Sequence, residues 1–347
     1  MQTIQWKEWP AQRLQEDADL RAQWDRLNVQ RGDLPFMGAQ AWALALAVFG
    51  QGNERLLVGE ADGQCVAMLV LADAGKLRWQ TFQPSQMPLG AWVAQADIAV
   101  DELARSVLQR GPMKLALSVS LTQIDPLFAA RTDDAPDNRH DDYIETAWVD
   151  VVGSFEDYWA ARGKNLRQNM RKQRNKLETE GVRAGTQVFR DAADMPGAIA
   201  RYGALEGQGW KAQEGTAILP DNAQGRFYTG LLQGLAAQGE AEVYEYRFDD
   251  KPVALNLCVR RGNTLTILKT TYDESIRAYS PAFLLNQDML EALYAESRIT
   301  RLEYYGSLME WHTRWTDNKR GIYHLSSFRN GMVKRMAESL GGRAATE

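Results

Sequence analysis

At 347 residues, with 45% hydrophobic and 24% charged, the chain is long enough for two domains of about 150 residues and too apolar for extended disorder. A net charge of −5 gives no global attraction to DNA or to an anionic membrane, so any basic site must be local. Two cysteines, Cys65 and Cys258, are too few for a disulfide framework or a cysteine-based metal site, and no basic-then-apolar leader or bilayer-length apolar run is visible, so a cytoplasmic protein without a transmembrane segment is expected.

Leu14, Ala18, Leu20, Trp24 and Leu27 give residues Leu14 to Asn28 an apolar helical face, and a second helix is expected from Ala39 to Phe49. Three strands follow, Arg55 to Glu60, Gln64 to Leu71 and Lys76 to Phe82, with Ala61-Asp62-Gly63 as a hairpin signal between the first two. A helix from Ile98 to Arg110, a strand from Met113 to Ser120, an exposed acidic loop RTDDAPDNRHDD and a strand from Tyr143 to Val152 close this half.

The order then repeats. Ser154 caps a long helix, Phe155 to Glu180, and Val182 to Arg190 is strand-like. Helices near Pro196 to Gly207 and Arg226 to Gln238 precede a second meander, Glu240 to Phe248, Val253 to Arg261 and Thr264 to Thr271. Ala282 to Leu293 is helical in its spacing, and strands at Arg301 to Tyr305 and Gly321 to Ser326 end the chain. The expected fold class is mixed α/β, two related halves in tandem, residues 1–152 and 153–347.

Four stretches carry chemistry. Between Thr271 and Ala282 a strand passes through a short loop into a helix that begins at Ser280-Pro281, a capping residue followed by a residue suited to the first helical position. Free amides at such an end attract phosphate. The long helix holds seven basic and no acidic residues between Arg162 and Lys176, while Leu166, Met170, Gln173 and Leu177 share its other face. That basic face suits CoA phosphates, an anionic saccharide or tRNA, or is simply solvated. Glu206, Trp210, Lys211 and Glu214 cluster past a helix end, either a substrate loop or plain surface. Tyr304, Tyr305, Trp311, His312, Arg314 and Trp315 follow a strand end, where proton-transfer groups and core packing are both plausible readings. No metal-binding His/Cys spacing, Walker loop, nucleophile elbow or dinucleotide fingerprint occurs.

Arg277-Ala278-Tyr279-Ser280-Pro281-Ala282 resembles the acyl-CoA loop of GNAT-type N-acyltransferases, Gln/Arg-x-x-Gly-x-Gly/Ala, with serine in place of the first glycine. Five features occur in the right order. These are the basic R-x3-R helix (Arg167, Arg171, Arg174), Glu206 with Trp210, Lys211 and Gly215, the Phe227-Tyr228 pair, and Lys269, Tyr272, Asp273, Ser280 and Pro281 followed by Arg314-Trp315. Over Tyr143 to Phe328 the chain is thus similar to the CelD/BcsL-type acyltransferases of cellulose and exopolysaccharide gene clusters, themselves similar in fold to Fem-type peptidyl transferases. It departs from them at Ala282, usually glycine, at His312, usually lysine, and near Tyr304, where an acidic residue is usual.

The resemblance implies a tandem GNAT-like fold and transfer of an acyl group, acetyl foremost, from acyl-CoA to an amine or hydroxyl of a saccharide or related small acceptor. No covalent enzyme intermediate and no permanently bound cofactor or metal are implied. Thr270, Thr271, Arg277, Ser280 and Ala282 would hold the cosubstrate. Glu206 or Asp273 would be the base, Tyr305, ahead of Tyr272 or Tyr279, the acid at the thiolate, and His312 a further proton-transfer group. Trp210, Lys211, Tyr272, Arg167, Arg171 and Arg314 would contact the acceptor. An aminoacyl-tRNA donor, as in Fem-type enzymes, and a non-catalytic binding module of polysaccharide assembly are the competing readings.

Overall fold

The structure, a computed structural model, describes residues 3–207 and 218–344, with side chains as far as residue 339. Contacts divide the described chain into two units, one formed by residues up to Glu145 together with those from Arg320 on, the other by Thr146–Lys319.

In the first unit, β1 (Gln5–Pro10) and the helices Ala18–Val29 and Ala39–Phe49 precede an antiparallel meander, β2 (Arg55–Ala61), β3 (Gln64–Asp73) and β4 (Arg78–Thr81). Asp62 and Gly63, at φ 49° and 75°, join β2 to β3 in the two-residue turn whose twist matches a hairpin. Short β5 (Trp92–Ala94) returns to pair with β3, the helix Val100–Arg110 follows, and β6 (Ser118–Ile124) lies parallel to β4. The helix packs Leu103, Val107 and Leu108 against Leu69, Leu71, Val119 and Leu121 of the sheet. β7 (Asn138–Asp150) leads out of this unit into the next.

The second unit runs through the same sequence of elements. After the helices Phe155–Ala161 and Lys164–Thr179 come β8 (Ala184–Phe189), the helices Met195–Glu206 and Ala223–Ala236, and the meander β9 (Ala241–Phe248), β10 (Lys251–Arg261) and β11 (Thr264–Tyr272). The helix Pro281–Glu296 and β12 (Arg301–Glu303), parallel to β11, complete the repeat. Ser154 caps as expected, its Oγ accepting from the Asp157 amide at 3.1 Å. The expected single helix over residues 155–180 instead breaks at Arg162-Gly163, where both residues are extended at ψ 156° and 138°. Leu166, Met170, Gln173 and Leu177 are buried on one face of its second piece, as their spacing predicts.

Chain order and contacts part company at the ends. β13 (Lys319–Phe328) pairs antiparallel with β6 in the first unit, and the end of β7 pairs antiparallel with β12 in the second. The expected boundary is near residue 152; contacts divide the chain between Glu145 and Thr146, inside β7, and draw the residues from Arg320 on into the first unit, because β6 finds its second neighbour in β13. Lys334 of the helix Gly331–Ala344 fastens there too, donating to the carbonyls of Ala135 and Asn138 at 2.8 Å. The segment expected as an exposed acidic loop ends inside β7, with Asn138 and His140 buried and the His140 ring nitrogens 3.2 and 3.1 Å from Asp101 and Asp134. Residues 131–134 before β7 are exposed as expected, while Asp134 and Asp137 pair with His140 and Arg105.

Candidate active site

β11 and β12 pair only over Thr264–Thr266 and Arg301–Glu303. β11 then continues to Tyr272 without β12, and the fork so opened holds a cleft of about 270 Å³. Thr270 and Tyr272 of β11 form one wall, Arg277 and Ser280 of the connecting turn another, the first turns of the Pro281–Glu296 helix a third, and Trp311 the last. The Asp273 amide donates to Val253 in β10 at 2.8 Å, so by strand alternation the Thr270 and Tyr272 amides lie on the opposite edge, toward the fork. Thr271, expected beside Thr270, has its amide on the β10 side. A bulge at Leu268, which has no partner between Ile267 and Lys269, bends β11 just before this point.

Ser280 occupies the position where the resemblance expects glycine, and its backbone is left-handed, φ 54° and ψ 48°. Such a conformation in a residue with a Cβ costs on the order of 1 kcal/mol, and it is offset here by fixed surroundings. The Ser280 carbonyl accepts from the Phe283 and Leu284 amides at 3.0 and 3.1 Å, and its Oγ accepts from Asn169 of the Lys164–Thr179 helix at 3.3 Å. Pro281 has no amide hydrogen. Among the described residues the Ala282 N–H is therefore the first-turn amide left for a ligand, a thinner cradle than a glycine-rich loop provides.

Glu206 ends the Met195–Glu206 helix, 4% exposed, and accepts from the Ile218 amide at 2.8 Å. Tyr202, one helical turn earlier, donates to the Thr270 carbonyl at 3.0 Å with Glu206 Oε1 3.5 Å away, linking this carboxylate to the fork strand. Burial, with the Glu206 charge beside it, holds the Tyr202 hydroxyl well above the ordinary tyrosine range, so it remains a donor. The helix is anchored by Arg201, whose guanidinium donates to buried Glu245 of β9 at 2.6 Å. The next β9 residue, Tyr246, packs in the core with Leu284 and Leu285. Since neighbouring strand residues point to opposite faces, Glu206 and the Pro281–Glu296 helix lie on opposite faces of this sheet.

Asp273, the other expected base, is fully engaged elsewhere. It caps the turn after β11 by accepting from the Ser275 amide and hydroxyl at 3.0 and 2.5 Å, and it takes Lys251 at 2.7 Å. Burial pushes its pKa up, but the bonds from Lys251 and Ser275 outweigh it and the net direction is down, which weakens it as a base. His312 is 4% exposed, and its Nδ1 accepts from the Met309 amide at 2.9 Å while its ring stacks on Trp311, centroids 3.6 Å apart. Burial pulls its pKa down to about 4, so at neutral pH it is an uncharged cap of the Glu310–Thr313 turn. Tyr305 is buried with a left-handed backbone, φ 47°, two residues past β12, and Tyr272, not Tyr305, lines the cleft.

The basic helix borders a second, open groove of about 530 Å³ walled by Trp159, Lys164, Arg167, Arg171 and Gln287. Arg167 donates to the Arg162 carbonyl at 3.1 Å, and Arg174 is bound to Asp288 at 2.5 Å, which makes it a clamp between two helices. Arg314 pairs with Glu310 at 2.8 Å and lies 5.9 Å from the Phe283 ring. Trp210 and Lys211 lie outside the described residues. The structure thus gathers Thr270, Tyr272, Arg277, Ser280 and Ala282 around one cleft, ties Glu206 to it through Tyr202, and sets Arg167 and Arg171 on a separate groove. Tyr202 and Asn169 were missed: Tyr202 shares a helix face with Glu206 at i, i+4, a signal available in the sequence, whereas Asn169 carries none.

Residues 164–343 match the acetyltransferase (GNAT) domain. The chain belongs to the GNAT family. It is accordingly an acyltransferase, and acyl-CoA is the cosubstrate of such domains. No curated protein matches the sequence. Among solved structures it is similar to the C-terminal domain (DUF2156) of a putative lysylphosphatidylglycerol synthetase from Agrobacterium fabrum, at 14% identity over 93% of this chain and 95% of that one, TM-score 0.56. L-PGS from Bacillus licheniformis is similar at 16% identity over 82% and 87%, TM-score 0.51. FemX is similar at 13% identity over 91% and 94%, TM-score 0.54. At these identities the likeness is one of fold. Among the described residues of this GNAT protein no helix is long and apolar enough to cross a membrane, and no His, Cys, Asp and Glu cluster forms a metal site.

Proposed function

We propose that the protein transfers an acyl group, acetyl foremost, from acyl-CoA to an amine or hydroxyl of a saccharide or related small acceptor, in the cytoplasm and in the service of exopolysaccharide assembly. The observation that carries the proposal is the open fork between β11 and β12, whose edge amides, Arg277 and helix N-terminus meet in one cleft. The acceptor class rests on the resemblance to the CelD/BcsL type.

In this reading the acylated arm of CoA lies in the fork with its diphosphate near Arg277 and the Ala282 amide. The Thr270 or Tyr272 N–H donates to the thioester oxygen as it becomes negative, a contact that strengthens only as charge develops. The acceptor nitrogen or oxygen attacks the carbonyl carbon, a new C–N or C–O bond forms, and the C–S bond breaks. Glu206 takes the nucleophile's proton directly or through water, and the departing thiolate takes one from a tyrosine. That Tyr272 lines the cleft wall, and Tyr305 does not, supports Tyr272 for that step. Asp273 and His312 hold the two loops that frame the cleft, the first by capping the β11 turn and the second by capping the turn that carries Trp311.

Incubating the protein with labelled acetyl-CoA, longer acyl-CoAs and charged tRNA against saccharide and peptide acceptors tests the proposal. Acyl transfer to a saccharide from acyl-CoA supports it; transfer from charged tRNA alone overturns it. An aminoacyl-tRNA donor is the second reading, favoured by the basic groove and by the resemblance to Fem-type enzymes.

A further inference from the structure

The fork cleft is too small for a whole CoA molecule. Its 270 Å³ falls just below the roughly 300–1,000 Å³ of pockets that enclose a drug-sized ligand, which fits an extended pantetheine arm and acyl group but leaves the phosphorylated nucleotide outside. The 3′-phosphate and adenosine, beyond the diphosphate near Arg277, therefore need another surface. We infer that the groove beside the Lys164–Thr179 helix holds the 3′-phosphoadenosine end of CoA; the inference rests on the acyl-CoA reading above.

Three features carry it. The groove is lined by Lys164, Arg167, Arg171 and Arg174 with no carboxylate among its lining residues; Arg174 is spent on Asp288, while Lys164, Arg171 and Arg167, the last with one N–H given to the Arg162 carbonyl, bring full charges to it. Trp159 supplies a flat aromatic wall, stacked on Trp315 at 6.1 Å, and Trp315 in turn packs on Phe283 of the fork cleft at 5.7 Å. The two sites share no lining residue but are linked by this run of packed rings. Gln287 of the groove lies seven residues after Ser280 of the cleft on the same helix, a rise of about 10 Å, on the order of one nucleotide. Asn169, on the basic helix, also bonds Ser280 directly.

The same geometry argues against an acceptor in the groove. Glu206 lies on the opposite face of the sheet, beneath the Met195–Glu206 helix, whereas the groove borders the Pro281–Glu296 helix. A nucleophile whose proton goes to Glu206 approaches from the other side. Donor nucleotide and acceptor are kept on separate faces, with the thioester between them.

Calorimetry of the full chain with CoA and with 3′-dephospho-CoA tests the assignment. CoA is expected to bind about ten-fold more tightly, the effect of roughly one charge-assisted phosphate contact. The double variant Lys164→Ala with Arg171→Ala, which breaks no described hydrogen bond, should bind both ligands with the affinity the parent shows for dephospho-CoA. Equal affinity of the parent for the two ligands overturns the inference and leaves the acyl-CoA reading standing. Binding of neither removes that reading itself. Charged tRNA that binds with a steep salt dependence, flattened by the double variant, reassigns the groove to nucleic acid.

Discussion

The two units reach the same fork by the same order of elements and finish it differently. In the first, β4 and β6 run parallel over Arg78–Gln80 and Ser118–Ser120, and just beyond them Thr81 and Thr122 hydroxyls meet at 2.6 Å. Thr122 then donates to Gln83 at 2.8 Å and Gln83 to Gln123 at 3.1 Å, while a Cβ on Gly90 would stand 2.4 Å from the Thr122 carbonyl. The fork is zipped shut by side chains and by the segment that brings β5 back to β3. In the second, a short turn passes straight from Tyr272 to the Pro281–Glu296 helix, and the fork stays open as a 270 Å³ cleft. A shared topology supplies the place for a site, and local side chains decide whether a site is there.

If only the open fork works, the largest loss should follow Glu206→Gln. Turnover is expected to fall by about 10²–10⁴-fold with acyl-CoA affinity little changed, because in the proposed mechanism the carboxylate acts on the nucleophile's proton. The variant's rate should recover as pH rises and more amine is already neutral; an unchanged rate and pH profile would return Glu206 to a structural role and break the contrast at its centre.

His312 sharpens the contrast through acid stability. Its folded pKa of about 4 lies below the ordinary value of 6.5, so its contribution is whole above pH 6.5 and is lost as pH falls toward 4. The full shift would amount to about 3 kcal/mol. His312→Asn, which keeps an acceptor for the Met309 amide but has no such proton to take up, should show a flatter denaturation midpoint between pH 6.5 and 4; parallel profiles would show that the ring titrates freely.

Arg277→Ala should weaken acyl-CoA binding by about ten-fold in calorimetry, at a stoichiometry of one per chain. Two acyl-CoA molecules per chain would mean the zipped fork opens, and unchanged affinity would take Arg277 out of the donor site. Smallest is Ser280→Gly. Relief of the left-handed backbone should raise stability by about 0.5–1 kcal/mol, less what the 3.3 Å bond from Asn169 contributes, with acyl-CoA affinity kept. A clear loss of stability would show that the Asn169 bond dominates.

Periodicity and turn chemistry made most elements legible: the Asp62-Gly63 hairpin, both meanders, the amphipathic face from Leu166 to Leu177, and the helix start at Ser280-Pro281 all depend on neighbours within a few residues. Those signals are local, so the sequence determined them by itself, along with the repeat and the loop that resembles an acyl-CoA site. What it left undecided was long-range. That β13 completes the first unit, that Asp273 is tied to Lys251 and that His312 is buried beside Trp311 depend on groups far apart in the chain or on burial. The openness of one fork and the closure of the other were likewise decided only in the tertiary structure, because Thr81 reaches Thr122 across 41 residues and no residue's own neighbours record that meeting.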